Sequence, residues 1–508
     1  MFRLMSKIAK TSTSFTRWAP LGFQVNMRQP ITRRPQAVPA RLLASSVANN
    51  NRRNNRLEPK IVRKLGNYEN YLFETGRENG WSTFCCCAVF RSEMELTPEQ
   101  IRKAFENLQK RHAALRLVVT LKDGENYFAE VADAPYYEIL QTSDRRAVIA
   151  RAEQNRFTYG QLLMRFNVLT PETSDRGFLY PVIIGIQTCA FDGKALKVNV
   201  LADLAYFLEK ALLQDGDDNI ESQPMLPVRE DILDQYPDSR SNNLKPNDWT
   251  THKDLLIKLL EMHKPSHPQP CSGITGFVLD KEQNSQLLHE VAQHNVSLNS
   301  VCVAAHAMAL YRLQIDLGLL SDQGWSLQSP FAADMRPYAK PKLPESHCGV
   351  WVAEFTNHII IPAKMASCNS KEALWKLAAS IQKETRELTA DPEPTLGSIK
   401  GWNEFHKKFM SDRQAYYRDD GYPAQDLFYI SNFGKLPNSP GKGKVSLDEV
   451  ELITGTTGST IFIHDIHRLN SSSLFHWELS YSKMLVSDEL AEKYLSLIKE
   501  ELERYLME

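Results

Sequence analysis

The sequence predicts a two-domain α/β protein with mixed sheets, and three observations carry that prediction. Strand-type and helix-type hydrophobic patterns interleave in both halves of a 508-residue chain, without segregating into an all-β or all-α block. Composition is that of an ordinary globular protein, 42% hydrophobic and 24% charged, so collagen-like, mucin-like and disordered classes are excluded. A weakly patterned stretch from about Gln214 to Pro270, holding DGDD, SRSNNLKPND and HKPSHPQP, divides the body nearly in half, with one helical island around Leu255 to Met262. No repeat period is visible.

In the first half, Thr97-Pro98-Glu99-Gln100 is a capping box with Pro at the first helical position, and Ile101, Phe105, Leu108 and Leu115 mark the buried stripe of the helix that follows. The run LRLVVTL and a strand at Tyr127-Phe128 are joined by a Lys122-Asp123-Gly124 turn. A continuous apolar strand, YPVIIGIQ, ends in Thr188-Cys189-Ala190-Phe191-Asp192-Gly193, and KALKVNVLADLAYFLEKALL then reads as an amphipathic helix. In the second half, GITGFVLD reads as a strand and LNSVCVAAHAMALYRLQ as a helix apolar nearly all round, hence buried. Strand-like pieces follow at Trp325 to Phe331, Val350 to Phe355, His358 to Ile361, Leu427 to Ser431, Thr460 to Ile466 and Leu474 to Tyr481. A helix from Ser487 to Leu506, capped by Ser487 and followed by Asp488 and Glu489, closes the chain.

A formal net charge of -1 hides an asymmetry. Residues 1 to 57 hold eleven Arg and Lys and no acid, leaving 49 basic against 61 acidic residues, a net of -12, in the remainder. An acidic body lacks the basic face that phosphate neutralisation needs, so no nucleic-acid partner is expected. The acid-free arm MFRLMSKIAKTSTSFTRW, with apolar Phe2, Leu4, Met5, Ile8 and Phe15 among its bases, reads as a mitochondrial transit peptide, and Arg41-Leu42-Leu43-Ala44-Ser45 resembles a matrix-processing site. The arm can also be read as a basic tail that binds a membrane or nucleic acid. No run of about 18 apolar residues predicts a membrane span. Eight cysteines without paired spacing read as reduced thiols, consistent with a matrix location, and Cys85-Cys86-Cys87 alternate along a strand and cannot converge on a metal.

Six short stretches, in order, resemble the fungal alcohol acetyltransferase family. That family belongs to the CoA-dependent acyltransferases, with chloramphenicol acetyltransferase, peptide-synthetase condensation domains and the plant BAHD enzymes. Leu65-Gly66-Asn67-Tyr68-Glu69-Asn70-Tyr71 is similar to the N-terminal motif of the fungal members, and Arg111-His112-Ala113-Ala114-Leu115-Arg116 to the superfamily's RHxxLR. Phe191-Asp192-Gly193 resembles the second half of HxxxDG, Asp334-Met335-Arg336-Pro337 the DxRP strand, Ser431-Asn432-Phe433-Gly434 the SNxG turn, and LSYSKMLVSDELAEKYL the closing strand and helix. The resemblance implies two similar chloramphenicol-acetyltransferase-like domains around a central tunnel. Acyl-CoA, acetyl-CoA in particular, would be the co-substrate, a small alcohol or amine the acceptor, and no metal would be needed. It also implies that Asp192 is structural and pairs with Arg336 in a buried bidentate ion pair. Gly193 would let the backbone turn into the next helix, and Ser431, Asn432 and Gly434 would form a turn at the tunnel. The expected division is a mitochondrial presequence over 1–43, a polar linker over 44–60, an N-terminal acyltransferase-like domain over 61–215, an interdomain linker over 216–270 and a C-terminal acyltransferase-like domain over 271–508.

The family's general base is the HxxxDG histidine, and here its position holds Thr188. A Thr hydroxyl neither titrates near neutrality nor takes up a proton with useful basicity. None of the thirteen His is followed four positions later by Asp, so no displaced motif exists. Three readings stay open: acyl transfer without that base, a catalytically inactive pseudoenzyme acting as a binding or assembly factor in the matrix, or a resemblance of fold only with an unrelated role. As substitutes, Cys189 sits on the opposite side of the strand end. His464 and His467 alternate with apolar residues and read as packed histidines, as do His306 within its apolar helix and His112 at a helix C-terminus. GTTG at 455–458 lacks the Lys of a phosphate loop, GKGK at 441–444 reads as a solvated turn, and no GxSxG or zinc-site spacing occurs.

Overall fold

The structure is a computed structural model. It describes residues 59–79, 83–131, 136–215, 219–233, 272–320, 324–339, 341–365, 370–390, 426–436, 441, 443–455, 460–469, 473–483 and 486–506. The chain divides into the units Met1–Arg56 and Leu57–Glu508, and every described residue belongs to the second. The presequence, most of both expected linkers, the helical island at 255–262 and most of GTTG lie outside the described residues.

Strands β1 (Lys60–Lys64), β3 (Leu117–Lys122) and β4 (Glu125–Glu130) form a small antiparallel sheet in the order β1-β4-β3. The tight β3–β4 connection needs positive φ at both central residues, which Asp123 (φ 52°) and Gly124 (φ 80°) supply. Helix α1 (Asn67–Asn79) lies between β1 and β2 (Thr83–Ser92). Helix α2 (Pro98–Arg111) starts on the expected capping box: Thr97 accepts from the Gln100 amide while the Gln100 side chain accepts from the Thr97 amide.

A first large sheet runs β13-β2-β8-β6-β5. Its members are β5 (Tyr137–Ile139), β6 (Met164–Val168), β8 (Gly177–Gln187) and β13 (Val445–Thr454), and β7 (Glu172–Ser174) hangs on β8. β5 pairs with β6 in parallel and the others antiparallel, so the sheet is mixed. Side chains alternate across β2: Cys86 enters the main core with Phe90 and Ile184, and Cys85 and Cys87 enter the opposite core with Val148 of α3 (Arg145–Gln154). All three thiols are buried and free. The sequence pattern gave no strand for β13, which comes from the second half of the chain yet completes this sheet beside β2.

A second mixed sheet runs β11-β10-β12-β14-β15-β9. It contains β9 (Ser272–Leu279), β10 (Trp325–Asp334), β11 (Val352–Ile361), β12 (Asp426–Leu436), β14 (Thr460–Leu469) and β15 (Phe475–Ser482). The two pieces expected at 350–355 and 358–361 are one strand, because β11 stays in register with β10 along its whole length. Behind the sheet pack α6 (Lys281–Gln293), α7 (Leu298–Asp316), α8 (Lys371–Ala390) and α9 (Asp488–Leu506). Every residue of α7 from Ser300 to Tyr311 is buried, as an all-round apolar helix requires. His306 sits within it, its Nδ1 3.0 Å from the Tyr494 hydroxyl. Each large sheet with its helices holds its own hydrophobic core, so the expected mixed-sheet α/β class with two similar halves is the observed one. Among the described residues no helix is long and apolar enough to cross a membrane.

The α2 cap yields a prediction. Thr97→Ala removes one of two reciprocal cap bonds and is expected to cost about 1 kcal/mol in chemical denaturation, with unchanged circular dichroism in buffer.

Candidate functional site

Strand β8 runs straight into the degenerate motif. After Gln187, whose Nε2 donates to the Phe73 carbonyl at 3.2 Å, a turn carries Thr188, with the Phe191 amide donating to the Thr188 carbonyl at 3.3 Å. Thr188 is half-buried, whereas Cys189, Ala190 and Phe191 point into the first core. Burial, with Glu69 as a smaller contributor, pushes the Cys189 thiol well above its usual pKa, so it is neither nucleophilic nor accessible.

Asp192 is the junction of this region. Its Oδ1 accepts from the Ala195 amide at 2.8 Å and from Arg336 Nη2 at 3.0 Å; its Oδ2 accepts from Arg336 Nη1 at 2.8 Å and from the Trp351 amide at 2.9 Å. Arg336 is fully buried and also donates to Asp334 Oδ1 at 3.0 Å and the Gly349 carbonyl at 3.2 Å. Burial works against the guanidinium charge, and the Asp192 carboxylate more than offsets it, so the Arg336 pKa is raised. This bidentate pair joins the end of β8 to the bend after β10 and to the 349–351 segment, three pieces of chain far apart in sequence.

Beyond Asp192 the expected amphipathic helix opens as a π-helix, Ala195–Leu201, before continuing as α4 (Ala202–Leu212). Gly193 does not have the positive φ that a turning role would demand. Its need is space: a Cβ there would lie 2.7 Å from the Phe433 ring. Phe433 belongs to the SNxG-like stretch, which is not a turn following a strand but a bulge inside β12, where the β12–β14 register shifts between Asn432 and Gly434. Gly434 takes φ 62° there, and its amide donates to Asn432 Oδ1 at 2.8 Å while Asn432 Nδ2 donates to Asn299 Oδ1 at 3.0 Å. Ser431 bonds the buried carboxyl of Asp465. Lys197 donates to the Phe433 carbonyl, and burial followed by neighbouring Lys194 pulls its pKa down. Lys194 is paired with Asp334 and Glu345, each at 3.1 Å. Residues matching three family motifs therefore meet around Gly193 and Asp192.

Histidines near this region are committed to structure. Asp203 Oδ2 lies 2.9 Å from both Arg111 Nε and His112 Nε2, which places the His112 proton on Nε2 and leaves Nδ1 facing Cys348 Sγ at 3.8 Å. The row resembles a Cys-His-Asp relay, but His112 and Cys348 are buried and burial pushes the Cys348 thiol up to about 12. Neither Asp203 nor Cys348 stands out in sequence, since 236 residues separate His112 from Cys348. His464 accepts from Trp477 Nε1 at 3.1 Å in the second core, and burial lowers its pKa to about 3. His467 lies on the opposite face of β14, stacked on His476 with ring centroids 4.7 Å apart. Thr188 thus sits in a motif loop whose framework is built, without a titrating group in the base position.

Removing one partner of the Asp192–Arg336 pair strands a buried charge. Asp192→Ala is expected to lower unfolding free energy by about 3 to 5 kcal/mol, measured by urea denaturation. His464 gives a pH prediction. Its pKa is lower folded than unfolded, so the stability it contributes is complete above about pH 6.5 and is lost as pH falls toward 3. His464→Gln should flatten the stability-versus-pH slope in that window by about 1.4 kcal/mol per pH unit, measured by denaturant melts from pH 4 to 7.

By sequence, no family model and no curated protein matches the chain. By structure, a trichothecene 15-O-acetyltransferase from Fusarium sporotrichioides superposes with a TM-score of 0.64 at 13% identity, covering 87% of this chain and 95% of its own. The epimerization domain from the third module of tyrocidine synthetase B gives 0.59 at 12% identity over 89% and 98%. The polyketide synthase associated protein 5 from Mycobacterium tuberculosis gives 0.59 at 13% identity over 88% and 100%. At these identities the likeness is one of fold, extending over nearly the whole described body: the chain has the architecture shared by these acetyltransferase and peptide-synthetase domains.

Proposed function

We propose that this protein transfers an acyl group from acyl-CoA, acetyl-CoA in the first instance, to a small alcohol or amine, as the alcohol acetyltransferases it resembles do. The observation that carries the reading is the intact framework under Thr188: the bidentate Asp192–Arg336 lock, with Phe433 seated on Gly193. The lock fixes the Thr188 loop at the end of β8, and a fixed loop is what catalysis by positioning requires. In this reading the donor and acceptor enter opposite mouths of a tunnel between the two sheets. The acceptor oxygen or nitrogen bonds to the acyl carbon, the carbon–sulfur bond breaks, and the acceptor proton passes to solvent or to the departing CoA thiolate. Thr188 serves as a hydrogen-bonding group and takes no proton, so turnover relies on positioning and is slow. A mitochondrial matrix location, argued from the N-terminal arm, is part of the same proposal.

The second reading, a pseudoenzyme that binds a ligand or a matrix protein, is favoured by two observations: the base position is Thr, and His112 is held by Asp203. Thr188→His separates the two. On an active framework it is expected to raise acetyl-CoA-dependent acylation of small alcohols by about a hundredfold, with the rate increasing with pH through about 6.5 as the imidazole deprotonates. No gain, together with no acetyl-CoA binding to the wild-type protein by calorimetry, would sink the acyl-transfer reading. Binding without turnover in either protein would support the pseudoenzyme.

A further inference from the structure

The back-to-back pairing of β14 and β15 places a second group of polar residues away from the Thr188 loop. His467 and His476 are direct cross-strand partners, and Glu478 follows His476 by two residues on the same face of β15. That face is turned from the α7–α9 core toward β13, as shown by the Leu452 amide donating to Glu478 Oε2 at 2.7 Å and the Thr454 amide to Ser480 Oγ at 3.1 Å. One ligand atom from each of His467, His476 and Glu478 lies within 4.8 Å of the others. The three are 0%, 8% and 7% exposed.

One ring nitrogen of His467 hydrogen-bonds the Val450 backbone, and among the described residues Nε2 of His476 has no hydrogen-bond partner. Buried imidazole nitrogens are normally satisfied, and the second ring nitrogen of His467 and Nε2 of His476, both left without a partner beside Glu478, call for an occupant. A cation that accepts two imidazoles and one carboxylate supplies it. Glu478 is oriented through Oε2 by the Leu452 amide, leaving Oε1 to ligate, and the Val450 backbone flanks His467; metal sites use such outer contacts to hold their ligands.

We infer that His467, His476 and Glu478 form a binding site for a divalent transition-metal ion of the zinc type, at the seam where the second sheet meets β13 of the first. Two His and one carboxylate with a position left for water is a donor set suited to zinc, and harder cations such as magnesium prefer all-oxygen shells. Closing the shell requires the ligand atoms to draw in to about 3 to 3.6 Å from one another, as metal–ligand bonds near 2.1 Å dictate, and requires one of the two rings, now 10° from parallel, to turn so that the in-plane lone pairs converge. The ion would tie β14 to β15 on the face that meets β13. This inference does not rest on the acyl-transfer reading.

The test uses the full chain. After metal is stripped with chelator, titration with Co²⁺ is expected to give visible absorption saturating at about one equivalent, and Zn²⁺ to displace it and raise the melting temperature. His476→Gln and Glu478→Gln, checked for folding by circular dichroism, should each weaken Co²⁺ binding at least tenfold and abolish the zinc-dependent shift. Folded wild-type protein that gives no Co²⁺ absorption and no zinc-dependent shift overturns the inference without recourse to the variants. Variants that bind like wild type overturn it too, since the metal would then sit elsewhere.

Discussion

Arg336 has no exposure to solvent, and a guanidinium in such a place persists only if its charge is answered. Asp192 answers most of it, through two parallel bonds of 2.8 and 3.0 Å, with Asp334 and the Gly349 carbonyl taking further donors. The carboxylate in turn accepts amides from Ala195 and Trp351, so one ion pair fixes the end of β8, the start of the π-helix, the bend after β10 and the 349–351 segment together. The geometry of the Thr188 loop is downstream of that constraint. So is the approach of β12, because Phe433 can rest on Gly193 only while the helix start is held where Asp192 holds it.

A second constraint is the strand β13. It leaves the second half of the chain to pair with β2, and its amides at Leu452 and Thr454 are given to Glu478 and Ser480 of the second sheet. The strand therefore hydrogen-bonds along one edge to the first sheet and touches the polar face of the other. Polar residues concentrate on that seam, where Asp465, His467, His476 and Glu478 are all buried, while the opposite face of the same strands carries Phe475, Trp477, Leu479 and Tyr481 into an apolar core. Alternation along a strand is what permits one hairpin to serve both environments.

Much of this was legible in the sequence where local chemistry decides. The Thr97 capping box, the Asp123-Gly124 turn and the all-apolar α7 follow from rules that involve only neighbours. The alternating thiols of β2 obey the same kind of rule. The π-helical start after Lys194 was not legible, because its pattern of apolar residues is also that of an α-helix. β13 was missed since its burial arises from partners on two different sheets and not from its own period. The SNFG stretch was read as a turn for a similar reason: the pairing of β12 with β14 on both sides of Gly434 makes it a bulge within a strand.

The sequence by itself determined the α/β class, the capped and buried helices and Thr188 at the end of an apolar strand, each of them a matter of residue type and spacing. Tertiary structure alone decided which residues face one another. It set His112 between Asp203 and Cys348, sent His464 into an apolar core and His467 onto His476, and gave Gly193 its reason in the ring of Phe433. These partners lie from nine to 240 residues apart, and the period of a single chain records which face a residue occupies but not what stands opposite it.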